Sequence, residues 1–281
     1  MSSCTLAGVT SITGALRDPA VTVWANVTTE AISASSLAEV SWVVAGQPRV
    51  RGVVPLVDGD VPVLAFTYAE EDLAREVAGS PVVTLSLTEP RSTGTAFRPL
   101  VIVGRPRLVE DPSGDLFATD LLAQELRRYP PSRLLADSPL LQREHWWYLP
   151  RLLVEIDVDA VVEVLTREDP VRDHLLVVAG ADGPVVRVAR LADGDPERVS
   201  LASQGPPPPG PAVLFGQDAS FPDLEQWTQW SYRGRWDGAG LQVNEAPERI
   251  GLGRPPGLLQ RWRHQRDFER RCVAAIPRPV G

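Results

Sequence analysis

Lysine is missing from this chain: all 28 basic residues are arginine, set against 36 acidic ones. That absence excludes a Schiff-base nucleophile, a covalent pyridoxal phosphate linkage and the lysine of a GxxxxGKS/T phosphate loop. Positive charge is in deficit, with a formal net charge of -8, so no nucleic-acid partner is expected, because such binding needs a basic surface to neutralise phosphates. Cysteine is reduced to Cys4 and Cys272, near opposite ends. Two such residues make neither a disulfide framework nor metal-ligand spacing, and we expect a reducing, cytoplasmic setting. The three histidines, His145, His174 and His264, are too widely separated for a conventional zinc site. No apolar run approaches the ~18 residues of a membrane span, and the opening MSSCTLAGVTSITGALRD lacks the basic start of a secretory leader, so no membrane is expected. There is no GxSxG elbow, and GLGRPPG (251–257) fails as a dinucleotide fingerprint on its spacing and its two prolines.

What is present is β-rich. A chain of 281 residues accommodates one large or two small domains. After a Ser/Thr/Ala-rich start, SWVVAG (41–46), VRGVVPLV (50–57) and VPVLAFT (61–67), separated by QPR and DGD, predict a meander of three antiparallel strands. YAEEDLAREVAGS (68–80) has helical composition. PVVTLSL (81–87) and FRPLVIVGRPRLVED (97–111) predict two more strands. A helix over 115–129 follows, with Leu116, Leu122 and Leu126, or Phe117 and Leu121, on one apolar face. RLLVEIDVDAVVEVL, from 151, adds a sixth strand.

The chain also echoes itself. Val43-Val44-Ala45-Gly46 matches Val177-Val178-Ala179-Gly180, and Leu56-Val57-Asp58-Gly59-Asp60 matches Leu191-Ala192-Asp193-Gly194-Asp195. PVVTLSL corresponds to PAVLFGQ (211–217), and Val103-Gly104-Arg105 to Arg233-Gly234-Arg235. Four blocks in one order favour duplication over chance resemblance of Gly-punctuated hairpins. The second copy replaces the helical insert by QGPPPPG (204–210), a stiff connector. LLQRWRHQRDFERRCVAA (258–275) predicts an arginine-rich amphipathic helix. The expected architecture is mainly β: an N-terminal segment (1–40), a first split-barrel domain (41–168), a degenerate second one (169–245) and a C-terminal arginine-rich helical tail (246–281).

This order of strands and helices, carried by VRGVVPLV, VPVLAFT, SPVVTLSL and FRPLVIVGRPRLVED, resembles the flavin-binding split barrel of the pyridoxamine 5'-phosphate oxidase-like superfamily, over about residues 40–165. The resemblance implies a barrel that pairs with a second barrel and binds FMN, or in relatives a deazaflavin or haem, between the two. It implies an oxidoreductase acting on a small-molecule substrate, and either a monomer with an internal pseudo-dimer or a homodimer. The alternative is a binding protein that has lost the cofactor.

Carried over by position, the resemblance places Arg51, Thr67 and Arg75 at the cofactor phosphate. The lysine that ends the Arg51 strand in FMN-binding relatives is missing, Val57 following Leu56, and Glu71-Asp72-Leu73 replaces the usual Ser-Arg-Lys grip. Two carboxylates near a phosphate at ~4 Å would cost on the order of 4 kcal/mol per pair at an effective dielectric near 20. Arg91, Ser92 and Thr93 in EPRSTG, or Arg98, offer a second place to hold the phosphate, since guanidinium forks suit its oxygens; as plain structure they are solvated hairpin arginines. In REHWWYLPR (143–151), His145 and Trp147 are either cleft-lining or core, and His145 is the one candidate axial ligand for haem. A second aromatic group, Trp227, Trp230, Tyr232 and Trp236, is expected to face the first across the seam between barrels.

Overall fold

The computed structural model describes residues 19–91, 96–201, 205–255 and 257–277. Helix α1 (Pro19–Ala34) leads into a seven-stranded antiparallel sheet whose spatial order is β2-β1-β5-β6-β7-β4-β3. Its strands are β1 (Ala38–Val44), β2 (Gln47–Val53), β3 (Leu56–Asp58), β4 (Val61–Thr67), β5 (Val83–Leu87), β6 (Leu100–Asp111) and β7 (Arg151–Glu163). Helix α2 (Glu71–Ala78) joins β4 to β5, and α3 (Leu122–Arg128), α4 (Arg133–Ala136) and α5 (Pro139–Glu144) lie between β6 and β7. A second antiparallel sheet runs β10-β9-β8-β11-β12-β13. It is built from β8 (Asp173–Ala179), β9 (Pro184–Ala192), β10 (Asp195–Leu201), β11 (Gly210–Ala219), β12 (Trp227–Trp236) and β13 (Leu241–Glu245), and α6 (Leu258–Ala275) ends the chain. The protein is therefore mainly β, with one sheet curled as a half-barrel. Among the described residues no helix is long and apolar enough to cross a membrane.

Three of the six predicted strands, 61–67, 81–87 and the one from 151, fall within two residues of the observed ones, and three differences are informative. The run VRGVVPLV is two strands, because the chain turns at Val54-Pro55: β2 pairs with β1, and β3 pairs with β4. The first turn is not QPR, which belongs to β2, but Ala45-Gly46, both at positive φ (49° and 73°), the geometry a two-residue hairpin needs. And β1 starts at Ala38, ahead of the expected boundary at 41, while Ala31 and Ile32 of α1 pack in the same core as β1, β5 and β6. The N-terminal helix thus belongs to the first sheet.

Two kinds of contact join the sheets. Apolar side chains interdigitate: Val101 of β6 is buried in one cluster with Leu175 and Val177 of β8 and Val213 and Phe215 of β11, and Val50 of β2 packs against it. Around this lies a buried ionic network. Glu39, on β1 and fully buried, accepts hydrogen bonds from the Arg167 guanidinium and from Gln217 Nε2 on β11 (2.6 Å). Arg167 Nε also donates to Thr88 Oγ1 at 2.9 Å, and its Nη2 lies 3.9 Å from Glu89. Arg91 closes the chain of charges, donating to Glu89 (2.6 Å), to Asp218 (3.2 Å) and to the Ala219 carbonyl (2.6 Å). Nearby, the Gln229 side chain of β12 clasps the backbone of Gly52 on β2, accepting from its N–H at 3.0 Å and donating to its carbonyl at 3.3 Å. A side chain at residue 52 would collide with Gln217, Gln229 and Trp227, so glycine is required by this close approach.

Three carboxylates face two guanidinia in this network, and the surplus acid is felt at Glu39. Burial is the main cause raising its carboxyl from 4.5 to about 7, against the lowering influence of Arg167 and with a further push from Glu89. The folded protein thus holds that proton more tightly than the unfolded chain. The stability it contributes is full below about pH 4.5 and is lost as pH rises through about 7. The midpoint of thermal unfolding should fall across that window, and Glu39→Gln should flatten the fall; superimposable pH profiles for the two proteins would exclude Glu39 as the group responsible.

Candidate functional site

A cleft of about 1260 Å³ opens where the first sheet, the α3–α5 segment, β12 and α6 meet. Its lining includes Arg51 of β2, Thr67 of β4 and Glu70 and Glu71 at the start of α2, together with Tyr129, Trp227 and Gln229, and Phe268 and Arg271 of α6. The Tyr129 and Trp227 rings lie 6.0 Å apart at 58°, an apolar surface within this charged lining.

The deepest part is organised by Arg151. It heads β7, opposite Thr67 on β4 and Asp111 on β6, and is fully buried. Its guanidinium carbon sits 4.0 Å from the centre of the Phe117 ring and 4.2 Å from that of Tyr148, a double cation–π sandwich that fixes its plane. Nη1 donates to the Pro150 carbonyl at 3.3 Å, and Nη2 stands 3.8 Å from Glu125 Oε1. That carboxylate oxygen also accepts from Ser132 Oγ (2.6 Å) and from the Tyr148 hydroxyl (2.5 Å), whose own pKa is raised well above the usual range, chiefly by burial and then by Glu125. The phenol therefore stays protonated and donates. Nε and Nη2 of Arg151, which share one edge of the guanidinium, have no hydrogen-bond partner. A buried donor left unmatched costs about 1–3 kcal/mol, so this edge is poised for an acceptor oxygen.

The residues expected at an FMN phosphate are brought to the cleft in part, and they do not fit the group. Arg51 lies 3.7 Å from Glu70, and Thr67 Oγ1 donates to the same carboxylate at 3.2 Å. Arg75 points away, held by Glu71 and Glu110 at 2.8 Å each. Each donor of the expected clamp already serves a carboxylate of this chain, and an incoming phosphate would meet those charges at close range. The second expected place is likewise committed: Arg91 is enclosed in the inter-sheet network, Arg98 pairs with Glu163 on the outer surface, and Ser92 and Thr93 lie outside the described residues.

REHWWYLPR divides residue by residue. Trp147 is buried in the core with Phe117, Leu121 and Tyr148, and its ring meets Phe268 of α6 edge-on at 5.6 Å. Trp146 is half exposed. His145 stands outside the cleft, with Nδ1 3.2 Å from the Leu135 carbonyl and its ring edge-on to Trp147. The two aromatic groups do not face each other across the seam. Trp236 is buried in the core of the second sheet, Trp230 Nε1 donates to His174 within that sheet, and of the four expected residues it is Trp227 that lines the cleft. No motif marks Arg151, Glu125 or Ser132, and Tyr148 enters the sequence reading only as part of the aromatic cluster. Strand alternation places Arg151 on the face of Glu155, Asp157 and Asp159, and it is the covering Phe117 and Tyr148 rings that bury it.

No protein-family model and no curated protein matches the chain. Solved structures overlap it in part. A protein of unknown function from Agrobacterium tumefaciens is 18% identical with TM-score 0.34, over 49% of this chain and 55% of its own, so the chain spans about half of that protein. A conserved hypothetical protein from Mycobacterium tuberculosis is 16% identical with TM-score 0.35, over 49% of this chain and 81% of its own. A pyridoxamine 5'-phosphate oxidase-related, FMN-binding protein from Nostoc punctiforme is 13% identical with TM-score 0.28, over 79% of this chain and 98% of its own.

The two adjacent tryptophans should separate cleanly on mutation. Trp147→Ala removes a fully buried ring from three aromatic contacts and should cost ~3–5 kcal/mol in urea unfolding. Trp146→Ala, at a surface position, should stay within ~0.5 kcal/mol. Equal costs would contradict this placement.

Proposed function

We propose that the protein binds a planar heterocycle of the flavin class in this cleft, by its ring and a carbonyl edge rather than by a phosphate. The observation carrying this reading is the unmatched, aromatic-clamped edge of Arg151 at the bottom of a cleft. A fork of two N–H groups complements a ring carbonyl, and the Tyr129–Trp227 surface offers the apolar contact a planar ligand needs. The carboxylates of Glu70 and Glu71 at the expected phosphate position select against an anionic tail.

The same reading takes the second sheet as a duplicated half-barrel and the cleft as an internal pseudo-dimer seam. Its support is the strand order, β2-β1-β5-β6-β7 in one sheet and β9-β8-β11-β12-β13 in the other. Oxidoreductase activity on a small-molecule substrate is the finer step. A bound flavin would supply the redox chemistry, and this chain would bind and orient it. A binding protein without catalysis is the alternative, favoured by the loss of the phosphate clamp.

Quenching of flavin fluorescence tests the reading. Riboflavin should bind at least about tenfold more tightly than FMN, a difference of about 1.4 kcal/mol. Arg151→Gln should weaken riboflavin, and Glu70→Gln/Glu71→Gln should narrow the gap by admitting FMN. Wild-type protein that prefers FMN, or that binds neither flavin, would overturn it.

A further inference from the structure

Helix α6 uses one face to dock: Phe268 and Cys272 pack into the core beside Trp147. A neighbouring face is uncovered. Leu259 is 75% exposed, Trp262 57% and Val273 44%, far more than an apolar stripe retains when its partner is present. With Arg266 and Glu269, these residues occur at intervals of three and four, the a and d positions of a heptad stripe. Trp262, Arg266, Glu269, Val273 and Ile276 line one shallow groove along the helix.

The order of residues along the stripe has a symmetry that identifies the occupant. Laid antiparallel on a copy of itself about a two-fold axis midway between Asp267 and Phe268, the stripe sets Trp262 against Val273. It also sets Arg266 against Glu269, and the axis repeats each pair. An isologous interface requires such self-complementarity, in which residue i meets j and j meets i. Both central charges find opposite partners, and the apolar layers flank them on either side. Arg266 also lies 5.1 Å over the ring of its own Trp262, which orients it along the groove. The remaining flank charge nearest the axis, Arg270, is already paired with Asp267 of its own helix at 3.1 Å. Five arginines against two acids make α6 basic on an acidic chain, yet the pattern asks for a specific acid at one position rather than an acidic surface in general.

We propose that two copies of this chain associate through α6, antiparallel, with Arg266 of each paired to Glu269 of the other and Trp262 packed against Val273. The contact covers one side of an 18-residue helix, about 27 Å long, and uses residues other than Phe268 and Arg271, which line the cleft. It does not depend on what the cleft binds.

Light-scattering mass of the full chain tests this. Wild type should have the mass of two chains, and W262E the mass of one. R266E and E269R each bring like charges together twice, and each should be weakened about tenfold or more in association. An equimolar mixture of R266E and E269R should regain the two-chain mass, because each then offers the charge the other lacks. That rescue between separate chains cannot arise from changes within one helix. A wild-type mass of one chain, a dimer undiminished in all three variants, or a mixture that stays dissociated would each overturn the proposal.

Discussion

The buried charges around Glu39 are the constraint from which the rest of the arrangement follows. Glu39 sits on the first sheet and Gln217 on the second, with Arg167 in the segment between them. The Gln217–Glu39 hydrogen bond and the Arg91–Asp218 pair form only when the two sheets dock in one register. Removing one member would strand the others in a dry interior, which costs more than the pair contributes over an apolar substitute. The apolar contacts of Val50, Val101 and Phe215 provide area without direction. The ionic network and the Gln229–Gly52 clasp provide direction, and so determine where β12 stands relative to β2.

The position of β12 makes the cleft. Trp227 and Gln229 reach it because their strand is held against Gly52, and α6 reaches it because Phe268 seats on Trp147. In a chain without lysine, every positive charge there is a guanidinium, and the pattern of their partners separates structure from binding. Arg51, Arg75, Arg91 and Arg98 are all neutralised by carboxylates. Arg151 differs in its burial and its clamp: it lies 3.8 Å from Glu125, its plane is fixed by two rings, and Nε and Nη2 make no hydrogen bond. Acids of the chain occupy the position where the sequence resemblance expects a phosphate, Glu70 beside Arg51 and Thr67.

Much of the fold was legible along the chain, since strand alternation, β-branched runs and Asp-Gly turns are local properties. VPVLAFT is β4 residue for residue, and LLQRWRHQRDFERRCVAA is α6. The split of VRGVVPLV into two strands was not legible, because an apolar run looks alike whether it stays in one ladder or turns a barrel corner at Val54-Pro55. The site was legible only as a neighbourhood. The Glu71-Asp72-Leu73 replacement is legible as acidic charge near the expected phosphate position, a matter of neighbouring residues. The Arg151 cluster draws on residues 117, 125, 132, 148 and 151, whose meeting no short motif encodes.

By itself the sequence determined most of the secondary structure, the charge balance, the echo between its halves and the amphipathic, arginine-rich character of α6, all set by residues near one another in the chain. Only the tertiary structure decided which guanidinium is matched and which is not, which tryptophan of the pair is core, and which face of α6 is left uncovered. Those depend on distances between residues far apart in sequence, and at contact range a displacement of a few ångströms turns an ion pair into an unmet donor.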